Sequence, residues 1–183
     1  RQVFGMGEDA PLDLEIGTGN GYYFAHHALS HPERCLLGIE KKFKPLIQSI
    51  RRALNDGCNN ARIVRYHAGF IEDLFEVAEL DDVYIHFPDP WPKKRQQKNR
   101  LIQPHFLEKL FSLQKPGSFL EFKTDNRAYF DQALARLQAS SYTEEIVTYD
   151  LHQGESDPKA FTTHFEKIFL RQGLPIHYAG FRV

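Results

Sequence analysis

The chain has 183 residues, 42% apolar and 26% charged, the usage of one globular domain, which excludes a disordered or fibrous chain. Its 23 basic residues stand against 24 acidic ones for a net charge of −1, so whole-molecule electrostatics neither demand nor exclude a polyanionic partner. No run approaches the roughly 18 apolar residues that span a bilayer, and residues 1–11 lack a signal peptide's apolar stretch, so a cytoplasmic protein with no membrane contact is expected. Cys35 and Cys58 are too few and too far apart for a zinc box, and no disulfide is expected. The chain begins at Arg1 without an initiator Met, and the single domain, residues 1–183, is expected to lack an N-terminal segment.

In chain order, Leu12 to Ile16 reads as a strand ending in Gly17-Thr18-Gly19-Asn20-Gly21, which opens a helix from Tyr22 to His31. Cys35 to Glu40 follows as a strand and Pro45 to Asn55 as a helix stopped by Gly57. Ala61 to Tyr66 is the third strand, Phe70 to Val77 a short helix, and Asp82 to Phe87 the fourth strand. A helix over Pro104 to Leu113, a strand over Ser118 to Lys123 and a helix over Arg127 to Gln138 complete the alternation. This pattern predicts an α/β fold with a mostly parallel sheet covered by helices on both faces. Glu144 to Tyr149 and His164 to Arg171 then read as strands with no helix between them, predicting an antiparallel hairpin at one edge.

Two positions in this frame carry chemistry. Gly17, Gly19 and Gly21 let the backbone approach a ligand closely, and the following helix points free N–H groups at it. Tyr22 stands where the dinucleotide fingerprint G-x-G-x-x-G needs its third glycine, so a dinucleotide fits poorly. Glu15 lies two residues before the glycines and Glu40 ends the second strand, where an acid accepts both hydroxyls of a ribose. A ligand with one ribose, no pyrophosphate and a positive charge suits two carboxylates, and S-adenosylmethionine is such a ligand.

The second position is His86-Phe87-Pro88-Asp89-Pro90-Trp91-Pro92-Lys93-Lys94, which sets one carboxylate and one indole among three prolines just past a strand's carboxyl end. Proline fixes φ and biases its preceding neighbour to extended geometry, so the loop is expected to be stiff and to hold Asp89 still. Lys93, Lys94, Arg95, Lys98 and Arg100 follow without an intervening acid, a candidate grip on a phosphate backbone. His27 and His31 stand four apart on a predicted helix without a third ligand at a recognisable spacing; they read as exposed polar-face histidines, and no metal is expected.

On these motifs the chain resembles the bacterial tRNA (guanine-N7)-methyltransferases. The resemblance covers nearly the whole chain, from Leu12-Asp13-Leu14-Glu15-Ile16-Gly17 through Gly38-Ile39-Glu40, Phe87-Pro88-Asp89-Pro90-Trp91-Pro92-Lys93-Lys94-Arg95, Phe122-Lys123-Thr124-Asp125-Asn126 and Thr163-His164-Phe165-Glu166 to Gly173-Leu174-Pro175-Ile176. It implies a Rossmann-like class I fold that binds S-adenosyl-L-methionine and methylates N7 of a guanosine, position 46 of the tRNA variable loop, as a monomer or homodimer. Residues matching Glu15, Glu40 and Asp89 line the cofactor in that family, with the glycine loop beneath it. Those matching Asp89, Lys93, Asp125, Thr163, His164, Phe165 and Glu166 face the substrate, and Lys94, Arg95, Lys98 and Arg100 are then the expected phosphate contacts. His67 departs from the family, which has an acidic or amide residue there to receive the adenine amino group; a neutral imidazole nitrogen or nearby backbone is the expected substitute. Gln96 and Asn99 replace more basic or aromatic character.

Attack of guanine N7 on a sulfonium methyl needs no general base, because N7 already exposes a lone pair. The site must supply alignment and a fixed negative charge, and Asp89 can accept from guanine N1–H and the exocyclic amine while facing the cationic product. The base is expected to be extruded into the pocket, stacked on Trp91 or Phe165, with packing into the core equally open for Trp91. Two other classes fit less well. An exocyclic-amine methyltransferase would carry an Asp-Pro-Pro-Tyr type motif, from which Pro90-Trp91 departs, and a noncatalytic tRNA-binding subunit would bind no S-adenosylmethionine.

Overall fold

The computed structural model describes residues 1–153 and 161–183. Within them seven strands form one sheet: β1 (Leu12–Ile16), β2 (Cys35–Ile39), β3 (Ala61–Val64), β4 (Val83–His86), β5 (Phe119–Thr124), β6 (Thr143–Thr148) and β7 (His177–Arg182). Their order is β3-β2-β1-β4-β5-β7-β6, with β1 to β5 parallel and β7 antiparallel to both β5 and β6. The chain runs outward from β1 to β3 and then returns to the other side of β1 as β4. The reversal point lies between β1 and β4, and in open α/β sheets ligands bind at the carboxyl ends of the strands there.

Alternation along the strands divides the core. Cys35 and Ile39 of β2 face the large apolar cluster that includes α3 (Pro104–Leu113) and α4 (Arg127–Gln138). Leu36 faces the opposite cluster, with Phe24 and Ala28 of α1 (Tyr22–Ser30) and Ala53 of α2 (Phe43–Asn55). Period-two alternation with both faces apolar produces this arrangement, helices above and below the sheet. Local signals set the helix starts. Pro104 occupies the first turn of α3, where its missing N–H costs nothing, and the Asn126 side chain accepts from Tyr129 N–H at 2.9 Å to cap α4. Among the described residues no helix is long and apolar enough to cross a membrane.

Outside the site loops, the fold departs from the sequence expectation in α5, in the segment after β3 and at His27. The segment read as the strand His164 to Arg171 is the helix α5 (His164–Arg171), and the strand that pairs with β6 is β7, which inserts between β5 and β6. Thr163 and Glu166 form a reciprocal capping box, a helix signal that outweighs the β-like aromatic content of the segment. The helix expected over Phe70 to Val77 is a 3-10 segment, Ala68–Asp73, interrupted by non-helical geometry at Phe70. Finally, His27 is not an exposed polar-face histidine. It is buried on the sheet side of α1, with Nε2 2.7 Å from Asp13 Oδ2 of β1.

Candidate active site

The hollow at the reversal point is built by five pieces of chain: the end of β1, the glycine loop, the start of α1, the end of β4 and the first turn of α5. Its walls include Glu15, Gly17, Thr18, His86 and Phe165. The three loop glycines have φ of +84°, +54° and +76°, the left-handed region that a side chain resists. At Gly21 a Cβ would also lie 2.5 Å from Ser49 Oγ, so glycine is required there for the close seat of α1 on α2.

Glu15 and Glu40 both converge on this loop and both are buried. Glu40 accepts from Gly19 N–H at 3.0 Å through one carboxyl oxygen and from Lys42 N–H at 2.7 Å through the other. Each oxygen keeps a second lone pair for an incoming hydroxyl. Glu15 differs: its Oε2 is buried with no hydrogen-bond partner among the described residues, and so is Thr18 Oγ1 beside it. Burial pushes the Glu15 carboxyl well above the usual carboxylate range, and the nearby charge of Glu40 pushes it further. Orphaned acceptors against a glycine cradle are what a cationic ligand with a ribose requires, so these residues fit S-adenosylmethionine.

The proline loop leaves the sheet from β4. Asp89 stands outside the glycine-lined hollow: its carboxylate is exposed and paired with Lys42 Nζ at 3.1 Å and 3.3 Å. Lys42 in turn donates its backbone N–H to Glu40, so the loop carboxylate meets the ribose-side acid through one intervening residue. Such an exposed pair is worth about 0–1 kcal/mol, so Asp89 is freed at small cost. The expectation of extended geometry before each proline fails twice. Phe87 and Trp91, which precede Pro88 and Pro92, have φ of +50° and +43°, left-handed values that cost about 1–3 kcal/mol each in a non-glycine residue. Side chains hold that strain: Phe87 packs on Phe165 and Phe169 of α5, with ring centroids 6.0 Å and 5.5 Å apart. Trp91 is half-buried.

Arg100 is a correction to the basic block. Lys93, Lys94, Arg95 and Lys98 are exposed on and beside the 3-10 segment Lys94–Asn99, but Arg100 is buried. Its Nε donates to Pro90 O at 2.8 Å and its Nη1 to Gln132 Oε1 at 2.9 Å, with the guanidinium over the Tyr129 ring. It braces the proline loop against α4 and is not available to a phosphate.

Glu166 is a second correction. It is fully buried, receives Thr163 N–H at 2.5 Å, and faces Lys123 Nζ at 3.3 Å. It therefore holds the start of α5 instead of touching a substrate. Thr163, also buried, returns the bond by accepting from Glu166 N–H at 3.1 Å. Of that stretch, His164 stacks on Tyr22 at 4.8 Å and Phe165 is exposed at the mouth of the hollow. Asp125 lies half-buried at the carboxyl end of β5, its carboxyl pushed up by burial. His67 lies on the far side of Glu40, after β3, and spends Nδ1 accepting from Gly69 N–H at 3.0 Å. The neutral ring then presents Nε2–H, a donor, and not the acceptor the sequence reading gave it for an adenine amino group. Lys42 and His86 were both missed from sequence. Lys42 meets Asp89 across 47 positions, and no local motif marks that pairing.

Solved structures share this fold at low identity. "Crystal Structure of 16S rRNA Methyltranferase KamB" superposes with a TM-score of 0.70 at 13% identity, covering 100% of this chain and 91% of that one. "Structure of an Antibiotic Related Methyltransferase" gives 0.68 at 21%, covering 100% and 92%. The fold is thus the Rossmann-like fold of S-adenosylmethionine-dependent methyltransferases. A family model described as "Putative methyltransferase" matches residues 9–179. The tRNA (guanine-N(7)-)-methyltransferase of Bdellovibrio bacteriovorus is 53% identical over 176 residues, 96% of this chain and 84% of that protein. The enzyme of the same name from Bacillus subtilis is 33% identical over 174 residues, covering 95% and 81%. The chain belongs to the tRNA (guanine-N7)-methyltransferase family.

Proposed function

We propose that the chain methylates N7 of guanosine 46 in the variable loop of tRNA, with S-adenosylmethionine as methyl donor. The observation that carries this reading is the buried Glu15 Oε2 at the glycine loop, without a hydrogen-bond partner among the described residues, with the Glu40 carboxylate close enough to act on its charge and placed for a ribose. When bound, the cofactor supplies an electrophilic methyl group on a sulfonium. Everything else falls to the chain. Glu40 receives the ribose hydroxyls, the glycine loop lies under the ligand, and Glu15 balances its positive charge.

Asp89, released from Lys42, accepts from N1–H and the exocyclic amine of guanine and fixes the approach of N7. Its charge favours the cationic methylguanine that forms. Adenine presents no such pair of donors, and the lost bidentate contact weighs about 1–3 kcal/mol against it. Lys93, Lys94, Arg95 and Lys98 receive phosphates flanking the target, and Asp125 and His164 border the path of the nucleotide. Phe165, exposed where the hollow opens, offers the face on which an extruded base stacks.

The test is incubation with methyl-labelled S-adenosylmethionine and unmodified tRNA, followed by nucleoside analysis. Label in 7-methylguanosine, lost when guanosine 46 is replaced by adenosine, supports the reading. Label on an exocyclic amine, or none, refutes it.

A further inference from the structure

Four buried side-chain atoms lack a hydrogen-bond partner among the described residues: Glu15 Oε2, Thr18 Oγ1, Ser49 Oγ and His86 Nδ1. Glu15, Thr18 and His86 all line one hollow, at the reversal point of the sheet. Burying an unpaired polar atom costs about 1–3 kcal/mol, so three at one place mark where a ligand's polar end belongs.

His86 closes the hollow from the β4 side; it opens the proline motif, but nothing in the sequence assigns its side chain a role. Its Nε2 lies 2.7 Å from Glu121 Oε1 on β5. That carboxylate also accepts from Tyr178 O–H at 3.3 Å and faces Lys123 Nζ at 3.7 Å. A carboxylate only accepts, so Nε2 carries the proton and Nδ1 is left as a bare lone pair. Burial also lowers the pKa of the imidazole, against the pull of Glu121, which keeps the ring neutral. The tautomer is therefore set from behind, as a carboxylate sets a metal-binding histidine.

We propose that His86 is a cofactor-binding residue: its Nδ1 accepts a hydrogen bond from the α-ammonium of the amino-acid end of S-adenosylmethionine. Glu40 and His67 follow β2 and β3, whereas His86 ends β4 on the other side of β1. A ligand whose ribose lies at Glu40 carries its non-nucleoside end over β1 and β4. The groups waiting there match an amino acid. Glu15 Oε2 and His86 Nδ1 are acceptors for an ammonium with three donors, while Thr18 O–H and the free N–H groups of the first turn of α1 are donors for a carboxylate.

The inference rests on the cofactor assignment above, and calorimetric titration separates the two. S-adenosylhomocysteine keeps the amino-acid end; 5′-methylthioadenosine lacks it. Relative to the wild-type chain, His86→Phe is expected to bind S-adenosylhomocysteine about tenfold more weakly and 5′-methylthioadenosine within about twofold. His86→Asn, which retains an acceptor, is expected to recover most of the loss. An equal loss for both ligands, or none, overturns the assignment of His86 alone. Failure of the wild-type chain to bind S-adenosylhomocysteine overturns the cofactor assignment as well. A reading independent of any variant's folding is the 15N spectrum of the wild-type chain. The Nδ1 resonance of His86 should move upfield with S-adenosylhomocysteine and stay fixed with 5′-methylthioadenosine. A resonance that responds to neither, or equally to both, contradicts the proposal.

Discussion

Arg100 Nε donates to the carbonyl of Pro90 at 2.8 Å, so a buried cation on one side of the proline loop holds the residue that follows Asp89. The loop's left-handed residues, Phe87 and Trp91, flank that carboxylate. The loop is therefore a strained segment held by its neighbours, and removing a brace should relax it away from its working shape.

Arg100→Ala is expected to destabilise the protein by about 2–3 kcal/mol, since Pro90 O and Gln132 Oε1 lose their donor in a buried setting. Turnover should fall while the salt dependence of tRNA affinity keeps its slope. Lys94→Ala should do the opposite, leaving stability alone and making the logarithmic salt slope shallower by about one. Denaturant midpoints and binding titrations across salt concentrations check both; a shallower slope in the Arg100 variant would return that residue to the phosphate contacts.

The pair of Asp13 and Arg34 governs acid stability. Burial raises the Asp13 carboxyl, but the hydrogen bonds from His27 and Arg34 outweigh it and hold the pKa below its ordinary 3.8. A carboxylate depressed in the folded state stabilises fully above its unfolded pKa, and that contribution disappears as pH falls through the lower folded value. Arg34 grips both Asp13 oxygens, at 2.7 Å and 2.5 Å, so Arg34→Ala should cost about 3 kcal/mol near neutrality. The gap between variant and wild type should narrow toward about pH 2.5. Urea midpoints at the two pH values decide it; an unchanged gap would show that the arginine acts by packing alone.

Glu15 has the opposite sign. With its carboxyl pushed up by burial, the folded chain holds a proton that the unfolded chain releases above 4.5. Stability is thus lost as pH rises from 4.5 toward the folded value. Glu15→Gln removes that penalty, so the ligand-free variant should melt higher than wild type near neutrality. Its affinity for S-adenosylmethionine should drop about tenfold or more, the loss of one charge-assisted hydrogen bond. A thermal melt and a calorimetric titration measure the two; a variant that is less stable and binds normally would make Glu15 a structural acid.

Much of this was legible because the signals are local. β1, α3 and α4 have the same bounds in sequence and structure, fixed by Gly17, by Pro104 and by Asn126 as cap. β7 was illegible because its interior Ala179-Gly180 lacks the branched and aromatic residues of a strand. Glycine is required at 180 because a Cβ would lie 2.4 Å from the Phe119 ring and 2.8 Å from Ile146. α5 has strand-like aromatic content, and only the Thr163–Glu166 box at its start marks it as a helix. Within the site, Glu15, Glu40 and the glycines came from motif spacing. The burial of Arg100, the turn of Asp89 toward Lys42 and the orphaned nitrogen of His86 depend on contacts between distant segments, which no spacing encodes.

The central claim is that the Asp89 carboxylate, carried by the braced loop, aligns guanine for attack. Single-turnover methyl transfer to unmodified tRNA by Asp89→Asn tests it most directly, with cofactor affinity measured on the same sample. A fall in the rate constant of about 100-fold, with affinity for S-adenosylmethionine changed by no more than about threefold, is the predicted result. A rate constant equal to that of the wild-type chain would contradict the account.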